Sequence, residues 1–396
     1  MAQTDSKRSS ARVLRVLMVT GAYFPEISGA GLQCRSLIGA AASDRLSFTV
    51  VTTSRDRALP FCDRLEDTPV YRLPVSGAGL AGRLVSWLPR LTYILFRVMP
   101  GIDIIHLHGL SRKSYFFIVF GFLLKKTVLL KITSVGEDDP ASIGRSGTLR
   151  KAFFRRARFY LCPSPALTES CRRSGIEQKR VLYLPNGVDC ERFRPVGRVE
   201  KLKLRKQLGL PVDSLIVLFA GHFSRDKRPH LLARAWSGIA RQGVSLVFVG
   251  SASKSSYEVS ADVVAAVDEV AGQKSLPGKL IRVQWSGKME SYFQASDIFV
   301  LPSVREGMPN ALLEAMATGL ACAATRLEGI TDGLFSESCG KLFEADDQPG
   351  LCSILQKLSA NPALREEIGS NARKKVCREY GLEKAANAYR DFVFSI

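Results

Sequence analysis

Short, nearly unbroken apolar runs recur along the chain, separated by longer stretches of helical periodicity. In the first half they are VLRVLMVT (13–20), LSFTVVTT (46–53), DIIHLH (103–108), TVLLKIT (127–133) and FYLCPS (159–164). A second series comprises LIVLFAG (215–221), SLVFVG (245–250), IRVQWSG (281–287), DIFVLPS (297–303) and LACAAT (320–325). Runs that lack a polar alternate predict strands of a parallel sheet covered on both faces. The pattern predicts an α/β chain of two doubly wound, Rossmann-like units in tandem. The first is expected over 12–195 and the second over 196–380, with residues 1–11 a disordered tail. The charged stretch 196–210, between Pro195 and Pro211, reads as the linker. An amphipathic helix at about 382–395, within 381–396, is expected to pack back on the first unit. SYFFIVFGFLL (114–124) is shorter than the ~20 residues a membrane span needs and predicts a buried helix. The apolar run after the N-terminal segment is too short for a signal peptide.

At 396 residues with 46% hydrophobic content the chain can bury two cores and is not of disordered composition. Its nine cysteines are scattered without a CxxC pair, which reads as reduced thiols in a cytoplasmic protein. Charge is uneven. Of 56 Lys and Arg and 37 Asp and Glu in all, the first 200 residues hold 31 and 16. The first unit therefore meets something acidic: an anionic membrane surface, a lipid phosphate or nucleic acid. Two segments there interleave Arg with apolar and aromatic residues, GRLVSWLPRLTYILFRV (82–98, with Arg83, Arg90 and Arg97) and RSGTLRKAFFRRARFY (145–160). They suit an anionic leaflet, or equally two core helices with solvated Arg faces.

REGMPNALLEAMATG (305–319) sets Glu306 in a loop after an expected strand and Glu314 inside the apolar helix that follows. Ligands of open parallel sheets sit at the carboxyl ends of strands, where helix N-termini offer free N–H groups. Pro309 and Asn310 open the helix, and Glu314 lies one turn deeper on the face of Asn310. A carboxylate on an apolar helix needs hydrogen-bond donors, and vicinal hydroxyls of a ribose or sugar ring supply them. An ordinary first-turn Glu with a solvated helix Glu satisfies the spacing equally well. GHFSRDKRP (221–229) brings His222, Arg225, Lys227 and Arg228 to another strand end, where cations hold a diphosphate or are simply solvated. Gly29 and Gly31 in SGAGLQC (28–34) let backbone approach a ligand, but Cys34 fills the place of the third glycine of a dinucleotide fingerprint. His106 and His108 share a face of their strand, His108 nearer the ligand end. Two histidines without a third ligand make no metal site.

Together these stretches resemble the family-4 retaining glycosyltransferases of the two-Rossmann GT-B fold. The resemblance rests on EGMPNALLEAMATG, LPNGVDCERFRP, FAGHFSRDKRP and GKMESYFQASDIFVLPS, in the expected order. It implies two domains facing a cleft and hexosyl transfer from a nucleotide-diphosphate sugar. By resemblance, Glu306 contacts the donor sugar and Glu314 the ribose hydroxyls. Lys227 holds the diphosphate, and the backbone of Gly307, Met308, Pro309 and Asn310 cradles the phosphates. Gly29 and Gly31 form the facing loop, and His108 contacts the sugar or the reacting centre, with His106 the alternative. It also implies no cofactor and no catalytic metal, and no DxD motif is present. One departure stands out: His222 occupies the place where the family commonly has Arg, leaving Arg225 or Arg228 to supply the fixed charge.

The expected partners are a nucleotide-sugar donor and a glycan or lipid-linked acceptor, the latter on the basic first unit at the inner face of a membrane during surface polysaccharide or glycolipid assembly. Nucleic acid is not expected, since no RRM, KH or helix-turn-helix pattern occurs. A dehydrogenase would need the missing glycine fingerprint. A non-catalytic relative that binds a sugar nucleotide or a protein remains the rival, kept open by His222.

Overall fold

β1 (Leu14–Val19) runs through the middle of a sheet, buried from Val16 onward, and those side chains alternate between two apolar layers. Leu17 and Val19 join one, Val16 and Met18 the other. The computed structural model describes residues 12–75, 80–239, 243–251, 259–273, 278–285, 287–336 and 338–396. The tail over 1–11 lies outside them.

The first sheet also contains β2 (Leu46–Ser54), β3 (Cys62–Leu65), β4 (Thr68–Pro74), β5 (Ile104–His108), β6 (Thr127–Lys131), β7 (Phe159–Cys162) and β8 (Val181–Tyr183). Its order is β3-β4-β2-β1-β5-β6-β7-β8, parallel except for the β3–β4 hairpin. The second sheet holds β9 (Leu215–Ala220), β10 (Val244–Val249), β11 (Leu280–Val283), β12 (Ile298–Leu301), β13 (Ala321–Thr325) and β14 (Lys341–Phe343). Its order is β11-β10-β9-β12-β13-β14, all parallel. It too is lined on both faces, Ile216 and Leu218 toward one layer and Val217 and Phe219 toward the other. Strand order reverses at β1/β5 in the first sheet and β9/β12 in the second, which opens a crevice at each pair of carboxyl ends.

Some expectations change. The stretch 196–210 is not a linker: Arg198–Gln207 is a helix of the second lobe. Its charges are structural, since Arg205 donates to the carbonyls of Ala295, Val212 and Ser214 and pairs with Asp297, as does Lys201. IRVQWSG forms a strand only to Val283. The helix Arg112–Leu123 is only half buried. Phe117 and Ile118 are enclosed, whereas Phe122 and Leu123 are each 65% exposed. The reading of nine reduced thiols fails at Cys190 and Cys377, which are joined as a disulfide.

The helix Leu382–Phe394 lies on the first lobe. Ala385, Ala386, Tyr389 and Val393 fall on one helical face and are buried. Arg390 donates to the Ala40 carbonyl at 2.6 Å, tying it to the helix Gly29–Ala41. The Tyr389 hydroxyl meets Nδ1 of His106 at 3.0 Å.

Candidate functional site

The loops after β9 and β12 meet at the strand-order reversal of the second sheet. Lys227, from the first loop, donates to Oε1 of Glu306, from the second, at 2.6 Å. Glu306 is buried, so the ion pair is largely removed from water. Its neighbours fix the loop: Val304 donates its backbone N–H to Asp226, and Arg305 reaches the Asp226 carboxylate at 2.6 Å. The helix Asn310–Ala317 follows directly. Pro309 caps it without a side-chain acceptor; Leu312 N–H turns back to the Pro309 carbonyl, and the N–H groups of Asn310 and Ala311 stay available to an anion.

This loop also touches the first lobe. Val135 donates to the Glu306 carbonyl at 3.2 Å. A Cβ on Gly307 would sit 2.0 Å from the Thr133 carbonyl oxygen, so only glycine permits that approach. The Thr133–Ser134 turn is held by Asp138, whose carboxylate accepts from both backbone N–H groups and from the Thr133 hydroxyl. Burial pushes that carboxyl up to about 6 against these bonds.

A polar chain crosses between the lobes beside the loop. Lys131, at the end of β6, donates to Oδ1 of Asn186 at 2.7 Å. Asn186 donates to Oδ1 of Asn310 at 2.7 Å, and Asn310 donates to the Gly29 carbonyl at 3.1 Å. Burial lowers the Lys131 ammonium to about 8. Gly29 and Gly31 begin the helix capped by Ser28, whose hydroxyl accepts from Gly31 N–H. A Cβ at Gly31 would meet the Ala22 carbonyl at 2.2 Å, so the turn from β1 into this helix closes only on glycine. Two helix starts, at Gly29 and Asn310, thus face one another across the cleft.

His108 ends β5, level with Lys131 on β6. Its ring stacks on His106 with centroids 4.4 Å apart. The residue is 7% exposed, and neither of its ring nitrogens has a hydrogen-bond partner among the described residues. Burial, then His106 and Lys131, hold it well below an ordinary imidazole, so it is neutral at pH 7. A buried neutral ring with unsatisfied nitrogens at a strand end is poised to bond an incoming hydroxyl.

Glu314, half-buried, stands one turn inside the helix Asn310–Ala317, and desolvation of its carboxyl by the surrounding protein pushes it up to about 8. The nearest charges are Arg192 and Glu290, themselves paired at 2.8 Å. Lys227, Glu306, Gly307, Met308, Pro309, Asn310 and Gly29 are therefore brought together. Arg225 and Arg228 are not: Arg225 pairs with Asp262 at 3.0 Å and Arg228 with Asp346. The expected substitute for the charge missing at His222 is thus committed elsewhere. Lys131, Asn186 and Asp138 were not singled out from sequence, although a lysine inside TVLLKIT was the visible anomaly. Among the described residues no His, Cys, Asp and Glu group could hold a metal.

A family model described as Glycosyl transferases group 1 matches residues 200–375, and one described as Glycosyl transferase 4-like domain matches residues 28–187. Over 223 residues the chain is 28% identical to the UDP-Gal:alpha-D-GlcNAc-diphosphoundecaprenol alpha-1,3-galactosyltransferase of Escherichia coli, covering 54% of this chain and 54% of that protein. It is 27% identical over 226 residues to the D-inositol 3-phosphate glycosyltransferase of Xylanimonas cellulosilytica, covering 56% and 52%. The chain spans about half the length of these curated relatives. In fold it resembles the sucrose-phosphate synthase of Thermosynechococcus elongatus, with TM-score 0.78 and 22% identity over 97% of this chain and 100% of that one.

Proposed function

The chain belongs to the family-4-type GT-B glycosyltransferases, and from that premise we propose that it moves a hexose from a nucleotide-diphosphate sugar to a hydroxyl of a glycan or lipid-linked acceptor, with retained configuration. The observation that carries this reading is the Lys227–Glu306 pair at the strand-order reversal, beside an uncapped helix start. Lys227 and the first-turn N–H groups take up charge as it gathers on the departing diphosphate. Glu306 exchanges part of its bond with Lys227 for sugar hydroxyls, and Glu314 accepts the ribose diol. His108 binds the sugar from the opposite lobe as a neutral ring. The acceptor oxygen attacks from the face the diphosphate leaves. The leaving phosphate takes the acceptor proton, so no dedicated base and no metal is required.

The relatives support a phosphate-bearing acceptor: one is named for a diphosphoundecaprenol substrate, another for D-inositol 3-phosphate. Surface polysaccharide or glycolipid assembly at the cytoplasmic face of a membrane is the setting that fits. Among the described residues no helix is long and apolar enough to cross a membrane. Peripheral contact is supported by exposed Phe122 and Leu123, with Arg156 over the Phe122 ring at 4.9 Å. Arg83 lies outside the described side chains.

A panel of UDP-, GDP- and ADP-sugars tests the reading through nucleotide release and thermal protection, in wild type and Glu314→Ala. A donor that protects only wild type and releases its nucleotide supports transfer. Protection without release in the presence of candidate acceptors favours the non-catalytic relative, for which the engaged Arg225 and Arg228 are the specific support. No protection by any donor rejects both.

A further inference from the structure

The first lobe has a cationic cavity of its own, lined by none of the residues that meet the second lobe. It lies at the carboxyl ends of β2 and β4, has a volume of about 360 Å³, and is lined by Arg57, Arg72 and Arg90 with Asp56, Phe61 and Pro74. The donor loops belong to the second sheet, and the first lobe meets them after β6 and at Gly29 after β1, with none of these contact residues lining the cavity. The cavity is therefore separate from the candidate diphosphate site.

Its arginines are under-employed. Arg72 is 3% exposed; it donates to Asp63 at 2.8 Å and to the Phe24 carbonyl at 3.2 Å, while its buried Nε has no acceptor. With both terminal nitrogens engaged, Arg72 contributes fixed positive charge to the wall of the cavity. Arg90 donates to the Ser86 carbonyl and lies over the Phe61 ring at 5.7 Å. Among the described residues neither Arg90 nor Arg57 is paired with a carboxylate. One acid, Asp56, faces three cations, and its Oδ1 already accepts from Ala58. Guanidinium forks converging on one cavity select phosphate oxygens over a single-point anion. The helix that carries Arg90 and the turn after it also expose Leu88, Tyr93 and Phe96, at 66%, 44% and 70%. A phosphate that enters here has an apolar surface beside it.

We propose that this cavity binds the phosphate or diphosphate of the acceptor between Arg57, Arg72 and Arg90, and so aligns the acceptor at a distance from the reacting hydroxyl. The word acceptor rests on the glycosyl-transfer reading; anion binding in the cavity does not.

The test is a calorimetric titration of the full chain with pyrophosphate and with farnesyl diphosphate, each at saturating UDP. Wild type is compared with the Arg57→Gln, Arg90→Gln double variant, which spares the buried Arg72. The expected result is pyrophosphate binding in wild type that weakens at least about tenfold in the double variant, as loss of charge-assisted hydrogen bonds implies. Equal affinity in both proteins, or no binding by wild type, overturns the proposal. UDP binding is followed in the same samples and in Glu314→Ala. If UDP does not bind but the pyrophosphate difference persists, the glycosyl-transfer reading falls and the anion site stands. If UDP binds normally without that difference, only the anion site falls. Tighter binding of farnesyl diphosphate than of pyrophosphate supports the site with a lipid-linked phosphate as its ligand. Equal affinity supports it with a soluble one.

Discussion

Lys227 Nζ stands 2.6 Å from Glu306 Oε1, a part-buried ion pair that, with the Asp226 contacts to Val304 and Arg305, binds the loops after two neighbouring strands to each other. Removing one partner strands the other. Lys227→Met is expected to lower kcat/KM with the best donor on the order of 10²-fold, through lost charge stabilisation and a misplaced Glu306. Glu306→Gln should cost a similar factor, and the double variant much less than their product, because the two act as a unit. Independent, multiplying effects in steady-state kinetics would contradict the pairing.

Glu314 carries the most direct pH prediction. Its folded value of about 8 lies above the usual 4.5, so the folded chain keeps a proton that the unfolded chain releases. Between those values stability falls as pH rises. Glu314→Gln escapes this loss. Its melting temperature without ligand should therefore gain on wild type by roughly 2–4 °C or more from pH 5 to pH 8, while UDP affinity drops. A difference that does not change with pH would show that the carboxyl is not desolvated as described.

His106 and His108 give the opposite slope. Burial, then the Lys131 charge, lowers His106 to about 3, and His108 also lies well below 6.5. Below pH 6.5 the unfolded chain binds protons that these folded rings refuse, so stability falls as pH drops. Scanning calorimetry at pH 7 and pH 5 should show a smaller drop for His108→Gln than for wild type. The same neutrality predicts that kcat/KM has no limb between pH 6 and 8 that disappears in His108→Gln.

Gly307→Ala tests the lobe contact. The added methyl cannot share space with the Thr133 carbonyl, so the lobes must separate locally. The expected outcome is a folded protein with unchanged far-UV circular dichroism and at least about tenfold weaker turnover. Wild-type turnover would mean that this approach is not needed for the reaction.

Much of this was legible beforehand because both sheets are covered on both faces. A strand with no polar alternate announces itself, as at Val16–Val19 and Ile216–Phe219. The strands that no unbroken apolar run announces are β3, β4, β8 and β14. β3 and β4 meet through Glu66 and Asp67, both at positive φ, a tight hairpin without the usual Asn-Gly signal. β8 and β14 have three residues each. The charges of the helix Arg198–Gln207 look solvated in sequence and read as a linker, and only the fold shows Arg205 directing its guanidinium to backbone carbonyls. Likewise the loop sequence named Arg225 and Arg228 as cleft cations, but their partners, Asp262 and Asp346, are 37 and 118 residues away. Pairings between distant segments leave no local periodicity to read.

The helix Leu382–Phe394 has a consequence for how the molecule is made. Its Ala386, Tyr389, Phe392 and Val393 complete an apolar layer whose other members come from residues 14–184. On the ribosome, the lobe that is translated first must therefore wait, with that layer open, while the whole of the other lobe emerges. Vectorial synthesis here finishes the second lobe before the first. A released chain truncated after residue 380 should be cut by protease within residues 12–195 and resist within 200–375.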